Sequence, residues 1–279
     1  MLGAMLARPT PVLAVDLFPP ERRELLALLA SLPPDGWAQP TIAGAWTVKD
    51  VAAHLVADDL GRISSGRDGH QQRWVPGDES LKAFIDRRNA EWVAATRRLS
   101  PRVLVTLLEL GGRESQGLFE SIDPFAIGAP VAWAGDDPAP NWLDLARELS
   151  ERWHHQQQIR EAVGAPLLDE QRFLAPVLET FAFALAPAFR GQVEPNGTSV
   201  GFRVEGESGG EWTVVREPAG WSLWIGRGHE PNATVSMDQD TAWRMYVRAL
   251  ERPEVQQRAR VDGDSRLGST LFDAFALVS

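Results

Sequence analysis

Two histidines and a glutamate have the residue types, and in part the spacing, of a metal-binding site. Glu151 and His155 stand four residues apart in a segment with a helical pattern, so both side chains would project from one helix face, one turn apart. His54 lies in another strongly helical segment and would supply a third ligand. A set of two histidines and one carboxylate leaves a coordination position open for water or substrate. The sequence therefore predicts a catalytic metal site formed by His54, Glu151 and His155.

The same residues also have simpler interpretations. A single histidine on an apolar helix face, such as His54, is commonly a hydrogen-bonded core residue, and Glu-x-x-x-His is a common pair on solvated helices. Trp153 and Ile159, however, place the apolar face of their helix around this turn, so the acid and the imidazole must border a cavity or be satisfied by a partner. A bound cation would be a suitable partner for both the acid and the imidazole. His154 would point away by roughly a hundred degrees, and we expect it on the surface or beside the ligands.

Other residues that could take part in chemistry are not predicted to be ligands. Asp58 and Asp59 lie one turn beyond His54, where they would be solvated or would orient an imidazole. His70 and His229 lie in turn-rich segments and are expected to be solvated. The sequence predicts no catalytic role for either of these two histidines.

The first half of the chain has to supply the helices that position the site. From about residue 18 to 164, apolar residues recur at helical spacing between turn-rich breaks, which predicts an up-and-down helical bundle. The second helix would open with Thr47 as N-cap and Asp50 three residues later, an acidic variant of the capping box, and would turn its histidine toward the core. Gly111 and Gly112 weaken the helical pattern of their segment. The predicted helices are 21–32, the one after Thr47, 78–99, 101–121 and 141–163.

The second half of the chain has a different composition. Beyond residue 190 glycine is frequent and short alternating apolar runs appear, which predicts strands followed by further helices. We therefore expect two domains, a helical one over 1–165 and an α+β one over 166–279. The predicted strands are 199–204, 211–216, 221–225 and 233–236, and the predicted helices are 169–190, without a firm domain assignment, 238–250 and 267–277.

Composition argues against several classes of function. The formal charge of -10, with basic residues scattered singly or in pairs, argues against a nucleic-acid partner. Because the chain has no cysteine, it has no disulfide, thiolate ligand or cysteine nucleophile, and any thiol would have to come from outside. The first 17 residues are apolar but interrupted by prolines and an aspartate, so we expect no signal peptide, no membrane span and a cytoplasmic protein.

Three segments resemble a known family. The run 37–41, followed by Ala-Trp-Thr-Val-Lys-Asp-Val-Ala-Ala-His-Leu at 45–55, resembles the opening signature of the mycothiol-dependent maleylpyruvate isomerase family, which belongs to the DinB-like metalloprotein superfamily. The stretch 151–164 resembles the last bundle helix of that family. The resemblance implies a four-helix bundle with zinc, or a similar divalent ion, at its core.

The resemblance also assigns individual residues. His54, Glu151 and His155 match the metal ligands of the family. Gln158 departs from the pattern, because many relatives have an acid three residues after the helix histidine. The carboxy-terminal half is similar to the smaller α+β domain of the same family, related to sterol-carrier-like folds, with its best matches at 233–238 and 261–264.

The function implied by the resemblance is thiol chemistry at a metal. The divalent ion would bind the sulfur of a low-molecular-weight thiol such as mycothiol, lower its pKa and present a thiolate to a small electrophilic substrate, for isomerisation or transfer. Two alternatives remain open: metal-hydroxide hydrolysis at the same position, and a non-catalytic binding protein with a structural metal and an apolar ligand in its second domain. We expect the substrate between the two domains, held by an arginine. The candidate arginines are Arg227, Arg244, Arg248 and Arg260.

Overall fold

The computed structural model describes residues 6–70 and 78–276, which form two compact units. We call them the helical unit, residues 13–70, 78–124 and 148–168, and the sheet unit, residues 6–12, 125–147 and 169–276. The predicted division into consecutive domains at residue 165 stays a prediction. No helix of the described residues is long and apolar enough to cross a membrane.

Five helices account for most of the first 165 residues. Each predicted helix is present, with ends that differ from the prediction by a few residues. The first begins three residues early because two prolines occupy its first turn, where a missing N–H costs nothing. The helices are α1 (Phe18–Ser31), α2 (Val48–Arg62), which continues into a π-helical turn (Ile63–Arg67), α3 (Leu81–Thr96), α4 (Pro101–Ser121) and α5 (Asn141–Ala162).

The predicted capping box at the start of α2 is confirmed. The Thr47 side chain accepts a hydrogen bond from the backbone N–H of Asp50, and the Asp50 carboxylate accepts one from the backbone N–H of Thr47 at 3.1 Å. This pair satisfies two backbone donors that a helix start leaves without partners. It therefore fixes where α2 begins and which face of the helix carries His54.

The core of the helical unit lies where α4 packs against α1 and α2. Gly111 and Gly112 lie within α4 at this crossing: a Cβ on Gly111 would be 2.8 Å from the Cβ of Asp59, and one on Gly112 would be 3.2 Å from the Cγ of Arg22. The two glycines thus allow buried polar side chains of α1 and α2 to approach the α4 backbone. Apolar residues that fill this core are Leu25, Leu29, Val48, Val51, Leu55, Leu104, Leu108 and Ile159.

The sheet unit contains a five-stranded sheet in the order β3-β2-β1-β4-β5. β1 pairs antiparallel with β2 and parallel with β4, and the other neighbours are antiparallel. The four predicted strands are all present, but a fifth strand was not predicted. The strands are β1 (Ser199–Glu205), β2 (Gly210–Glu217), β3 (Gly220–Ile225), β4 (Ala233–Asp238) and β5 (Arg260–Gly263).

Short helices complete the sheet unit. The predicted helix over 169–190 is shorter and interrupted. The predicted helix over 238–250 is followed by a second helix that was not predicted. One face of the sheet is apolar, with Phe202 and Val235 fully buried and the ring of Phe202 6.3 Å from that of Tyr246. The helices are α6 (Gln171–Phe181), α7 (Leu185–Ala188), α8 (Gln239–Tyr246), α9 (Arg252–Arg258) and α10 (Ser265–Ser269).

Candidate metal centre

His54 and His155 face each other inside the helical unit. His54 comes from α2 and His155 from α5, and their Nε2 atoms lie 3.2 Å apart with the two rings at 83°. Both histidines are buried, and the indole of Trp46 packs on His54 with ring centroids 5.1 Å apart. The structure therefore brings together two of the three predicted ligands from different helices.

Asp58 is the acid that joins this histidine pair. Its Oδ2 lies 3.4 Å from the Nε2 of His54, one turn away on α2. The potential ligand atoms of His54, Asp58 and His155 all lie within 4.8 Å of one another. Burial raises the pKa of the Asp58 carboxyl, while the nearby His54 imidazole acts in the opposite direction. The sequence left two interpretations of Asp58 open, a solvated side chain or an acceptor that orients an imidazole, and the contact with His54 agrees with the second.

Glu151, the predicted carboxylate ligand, precedes His155 by one turn of α5 and is partly buried. It does not belong to the group formed by His54, Asp58 and His155. Its role as a ligand therefore stays a prediction.

Gln158 contacts both histidines of α5. Its Oε1 lies 2.8 Å from the Nδ1 of His155, and its Nε2 lies 2.9 Å from the Nε2 of His154. His154 is buried beside the predicted ligands and not at the surface. Burial lowers the pKa of His154 to about 4 and, together with the neighbouring histidines, lowers the pKa of His155 well below its usual value. Both imidazoles are therefore neutral near pH 7.

A buried ion-pair network lies next to the site. Asp59 is fully buried and accepts two hydrogen bonds from Arg22 of α1, at 2.7 and 3.0 Å. Arg152 of α5 donates to the same carboxylate at 3.1 Å and also pairs with Glu148. Because Asp59 follows Asp58 on α2 and Arg152 precedes His155 by three residues on α5, these charge-assisted bonds hold together the two helices that carry the histidines. Of the two interpretations of Asp59 that the sequence left open, the solvated one is wrong.

Two of the four candidate arginines line a cavity in the sheet unit. Arg227 and Arg260, together with Arg203, border a cavity of 130 Å³ on the polar side of the sheet. Ser236 also lines this cavity, and its buried hydroxyl has no hydrogen-bond partner among the described residues. Arg260 pairs with Asp262 at 3.0 Å.

The other two candidate arginines have different surroundings. Arg244 pairs with Asp240 at 2.9 Å, and its guanidinium lies 4.3 Å from the centre of the Trp243 ring. The guanidinium of Arg248 lies 4.9 Å from the centre of the Phe275 ring. The remaining histidines, at positions 70 and 229, are exposed as expected.

Comparisons with known proteins place this arrangement in context. The family model of the mycothiol maleylpyruvate isomerase N-terminal domain matches residues 18–160. Two uncharacterized proteins, from two strains of Mycobacterium tuberculosis, are each 30% identical over 147 residues, which is 52% of this chain and 54% of the relative. The chain thus spans about half the length of the curated relatives that it matches.

Two solved structures share the fold. They are the crystal structures of a mycothiol-dependent maleylpyruvate isomerase and of a histidine-to-alanine mutant of such an enzyme. Each aligns with a TM-score of 0.50 and 14% sequence identity, over 83% of this chain and 86% of the other chain. At this identity the likeness concerns the fold alone, and it includes both helices and sheet.

Proposed function

Because the chain belongs to the family of the mycothiol maleylpyruvate isomerase N-terminal domain, we propose that it is a divalent-metal-dependent enzyme that uses a low-molecular-weight thiol. The thiol is mycothiol or a close analogue, and the reaction is isomerisation or transfer on a small electrophilic substrate. In this proposal the helical unit is a DinB-like four-helix bundle, and the sheet unit is a sterol-carrier-like α+β domain.

The observation that carries the proposal is the convergence of His54 and His155 with a carboxylate inside the helical unit. Imidazole nitrogens and carboxylate oxygens are donors that zinc and similar divalent ions accept. Burial keeps His155 neutral, as a metal ligand must be. The chain has no cysteine that could supply a thiolate ligand or compete as a nucleophile. The residues present therefore fit a divalent ion with nitrogen and oxygen ligands.

We assign His54, Glu151 and His155 as the ligands and Asp58 as a proton acceptor. Glu151 is supported by its position one turn before His155 on α5, and by the resemblance of this helix to the last bundle helix of the family. Asp58 is supported by the 3.4 Å distance from its Oδ2 to the Nε2 of His54. Its raised pKa makes it a stronger base than an ordinary aspartate.

A divalent ion bound here would supply Lewis acidity, which lowers the pKa of a thiol. The residues of the chain have the other tasks. His54 and His155 define the position of the reacting sulfur, and the Oδ2 of Asp58 accepts the thiol proton. The indole of Trp46 covers one side of His54 and limits its access to water.

Recognition of an acidic electrophile requires a cation in addition to the metal. The net charge of -10 repels anions at long range, so a local cationic site has to hold the substrate. Arg203 and Arg260 already pair with Glu211 and Asp262, which line the same cavity. We propose that Arg227 in this cavity holds a carboxylate of the substrate, because a guanidinium group binds a carboxylate in a bidentate geometry.

The metal content of the purified chain tests the proposal. We expect one equivalent of a divalent metal by elemental analysis, and its loss in His54→Ala and in His155→Ala. His229→Ala is the matched control, because His229 is exposed and lies in the sheet unit. Equal metal content in all four proteins, each shown to be folded by circular dichroism, would refute the site.

Thiol dependence of turnover tests the reaction. Maleylpyruvate would be offered with mycothiol, without thiol and with an unrelated thiol, and we expect conversion with mycothiol only. Metal-dependent hydrolysis of ester substrates without any thiol would instead support the hydrolase alternative. A stoichiometric metal with neither activity, together with binding of an apolar ligand, would support a binding protein.

A further inference from the structure

A single glutamine links the two adjacent histidines of α5. Gln158 is 6% exposed, and the two ends of its amide lie 2.8 Å from the Nδ1 of His155 and 2.9 Å from the Nε2 of His154. We infer that Gln158, together with the contacts of His155 with His54 and of His54 with Asp58, holds both histidines as the Nδ1–H tautomer and thereby keeps the lone pair of His155 Nε2 directed at His54. Gln158 would then be a positioning residue and not a catalytic one.

The side-chain amide of glutamine has an oxygen that accepts hydrogen bonds and a nitrogen that donates them. The Oε1 of Gln158 only accepts, so the Nδ1 of His155 must carry a hydrogen and its Nε2 must be bare. The Nε2 of Gln158 only donates, so the Nε2 of His154 must be bare and its hydrogen lies on Nδ1. Both histidines are thus held as the Nδ1–H tautomer.

The opposite orientation of the amide would reverse both assignments, so an independent constraint is needed. His54 supplies it. Its Nδ1 is buried and has no hydrogen-bond partner among the described residues, whereas its Nε2 lies 3.4 Å from the Oδ2 of Asp58 and 3.2 Å from the Nε2 of His155. The buried Nδ1 of His154 also lacks an acceptor among the described residues, so either orientation of the amide leaves one imidazole N–H without an acceptor. The carboxylate of Asp58 favours a hydrogen on the Nε2 of His54, because its Oδ2 can accept that hydrogen.

The position of the hydrogen on His54 affects His155, Gln158 and His154 in turn, because each contacts the next. If the Nε2 of His54 carries a hydrogen, the facing Nε2 of His155 has to be an acceptor. The hydrogen of His155 then lies on Nδ1, and Gln158 must present its oxygen there and its nitrogen to His154. Contacts that run from α2 to α5 thus select one orientation of the amide.

An amide and an acid at this position are not equivalent. An ionised carboxylate at position 158 could accept from His155, but it could not donate to His154. His154 would then have to carry its hydrogen on Nε2 in order to bond with the acid. The glutamine of this chain therefore keeps two neighbouring imidazoles in the same tautomer without a buried negative charge between them.

The consequence for metal binding rests on the proposed function. A histidine ligand must offer a bare nitrogen, and hydrogen bonding at its other nitrogen orients the ring. Gln158 would prepare the Nε2 of His155 for this role before any ion arrives. Loss of such an outer contact lowers metal affinity by about 10- to 100-fold.

The tautomers can be read in the metal-free full-length chain by long-range proton–nitrogen correlation spectra of histidine labelled with nitrogen-15. The chain has five histidines, which are assigned by single substitutions. We expect Nδ1–H signals for His154 and His155 in the wild-type chain. An Nε2–H signal for His155 would overturn the inference.

Two variants and a control separate positioning from structural support. In Gln158→Glu, His155 should keep Nδ1–H while His154 changes to Nε2–H. In Gln158→Leu, His155 should populate both tautomers. Gln157→Leu is the control, since Gln157 is buried next to Gln158 but bonds the backbone of Leu168. Identical histidine spectra in the wild type and both Gln158 variants would overturn the inference.

Competition between the protein and a chelator for zinc alone completes the test. We expect zinc affinity to fall by about 10- to 100-fold in Gln158→Leu and to recover in Gln158→Glu, which restores the acceptor for His155. Unchanged affinity in Gln158→Leu would refute the positioning role. If the wild-type chain shows the expected tautomers but binds no zinc, the tautomer inference stands and the proposed function fails.

Discussion

The Nε2 atoms of His54 and His155 lie 3.2 Å apart, although 101 residues separate the two histidines in the chain. The distance depends on how α2 packs with α5, and the buried carboxylate of Asp59 contributes to that packing by binding Arg152 at 3.1 Å. The ion-pair network therefore supports the candidate site. Asp59 lies close to His54 on α2 and Arg152 lies close to His155 on α5, so their contact holds the two helices together.

Either Glu151 or Asp58 could be the third metal ligand. Replacing each acid by the corresponding amide distinguishes the two assignments. We expect Glu151→Gln to lower metal affinity strongly, because the amide removes an anionic ligand while keeping the shape of the side chain. Asp58→Asn should retain a stoichiometric metal but lose thiol-dependent turnover, because its Oδ2 no longer accepts a proton. Elemental analysis and steady-state kinetics measure the two effects. Loss of metal in Asp58→Asn, with full retention in Glu151→Gln, would exchange the two roles.

The helices were predictable because their signals are local. Thr47 and Asp50 form the expected capping box, and repeated apolar spacing identified all five long helices. β5 was not predicted because Arg260-Val261-Asp262-Gly263 has only one large apolar residue and so lacks the alternating pattern of a strand. The segment is a strand because it pairs with β4 at the edge of the sheet, and this pairing cannot be read from the sequence of the segment.

The site was predictable in part. His54 and His155 could be paired because both lie on apolar helix faces, where an imidazole needs a partner. The proximity of Asp58 to His54, and the bridge formed by Gln158, depend on side-chain rotamers and on the distance between two helices. Residue types alone do not determine these quantities. The burial of Asp59 could not be predicted from the sequence either, because the arginines that pair with it come from two other helices, α1 and α5.

Two glycines of α4 should respond oppositely to alanine. In Gly111→Ala the new Cβ would lie 2.8 Å from the Cβ of buried Asp59, so we expect a loss of about 1–3 kcal/mol in the free energy of unfolding. Gly117 is the matched control on the same helix, because no atom lies within 4 Å of an added Cβ. Gly117→Ala should gain about 0.5–1 kcal/mol from helix propensity. Urea unfolding measures both, and equal effects would contradict the close approach at Gly111.

Acid should destabilise the metal-free protein through His154. Burial lowers the pKa of this imidazole from its usual 6.5 to about 4, so the unfolded chain binds the proton first as the pH falls. The free energy of unfolding should therefore decrease between pH 6.5 and about 4, with a contribution from this residue that approaches about 3 kcal/mol. Urea titrations at several pH values, in the presence of a chelator, measure the slope.

A matched pair of variants isolates the contribution of His154. His154→Asn removes the titrating group, so its slope between pH 6.5 and about 4 should be shallower than that of the wild type. The exposed His229 serves as control, and His229→Asn should leave the slope unchanged. His154→Asn should also retain the metal, because His154 is not a proposed ligand. The same slope in all three proteins would show that His154 does not titrate as a buried group.

Substrate recognition should depend on Arg227 of the sheet cavity and not on every arginine of the second half. We expect Arg227→Ala to raise the KM for an acidic electrophile by roughly tenfold or more, because a hydrogen bond to a charged group contributes about 1.5–3 kcal/mol. The kcat and the metal content should change little, since Arg227 lines a cavity in the sheet unit while the proposed ligands lie in the helical unit. Arg244→Ala is the matched control, because Arg244 is already paired with Asp240 and packed on Trp243, and its KM should stay near that of the wild type. A larger effect from Arg244 than from Arg227 would show that this cavity does not hold the substrate.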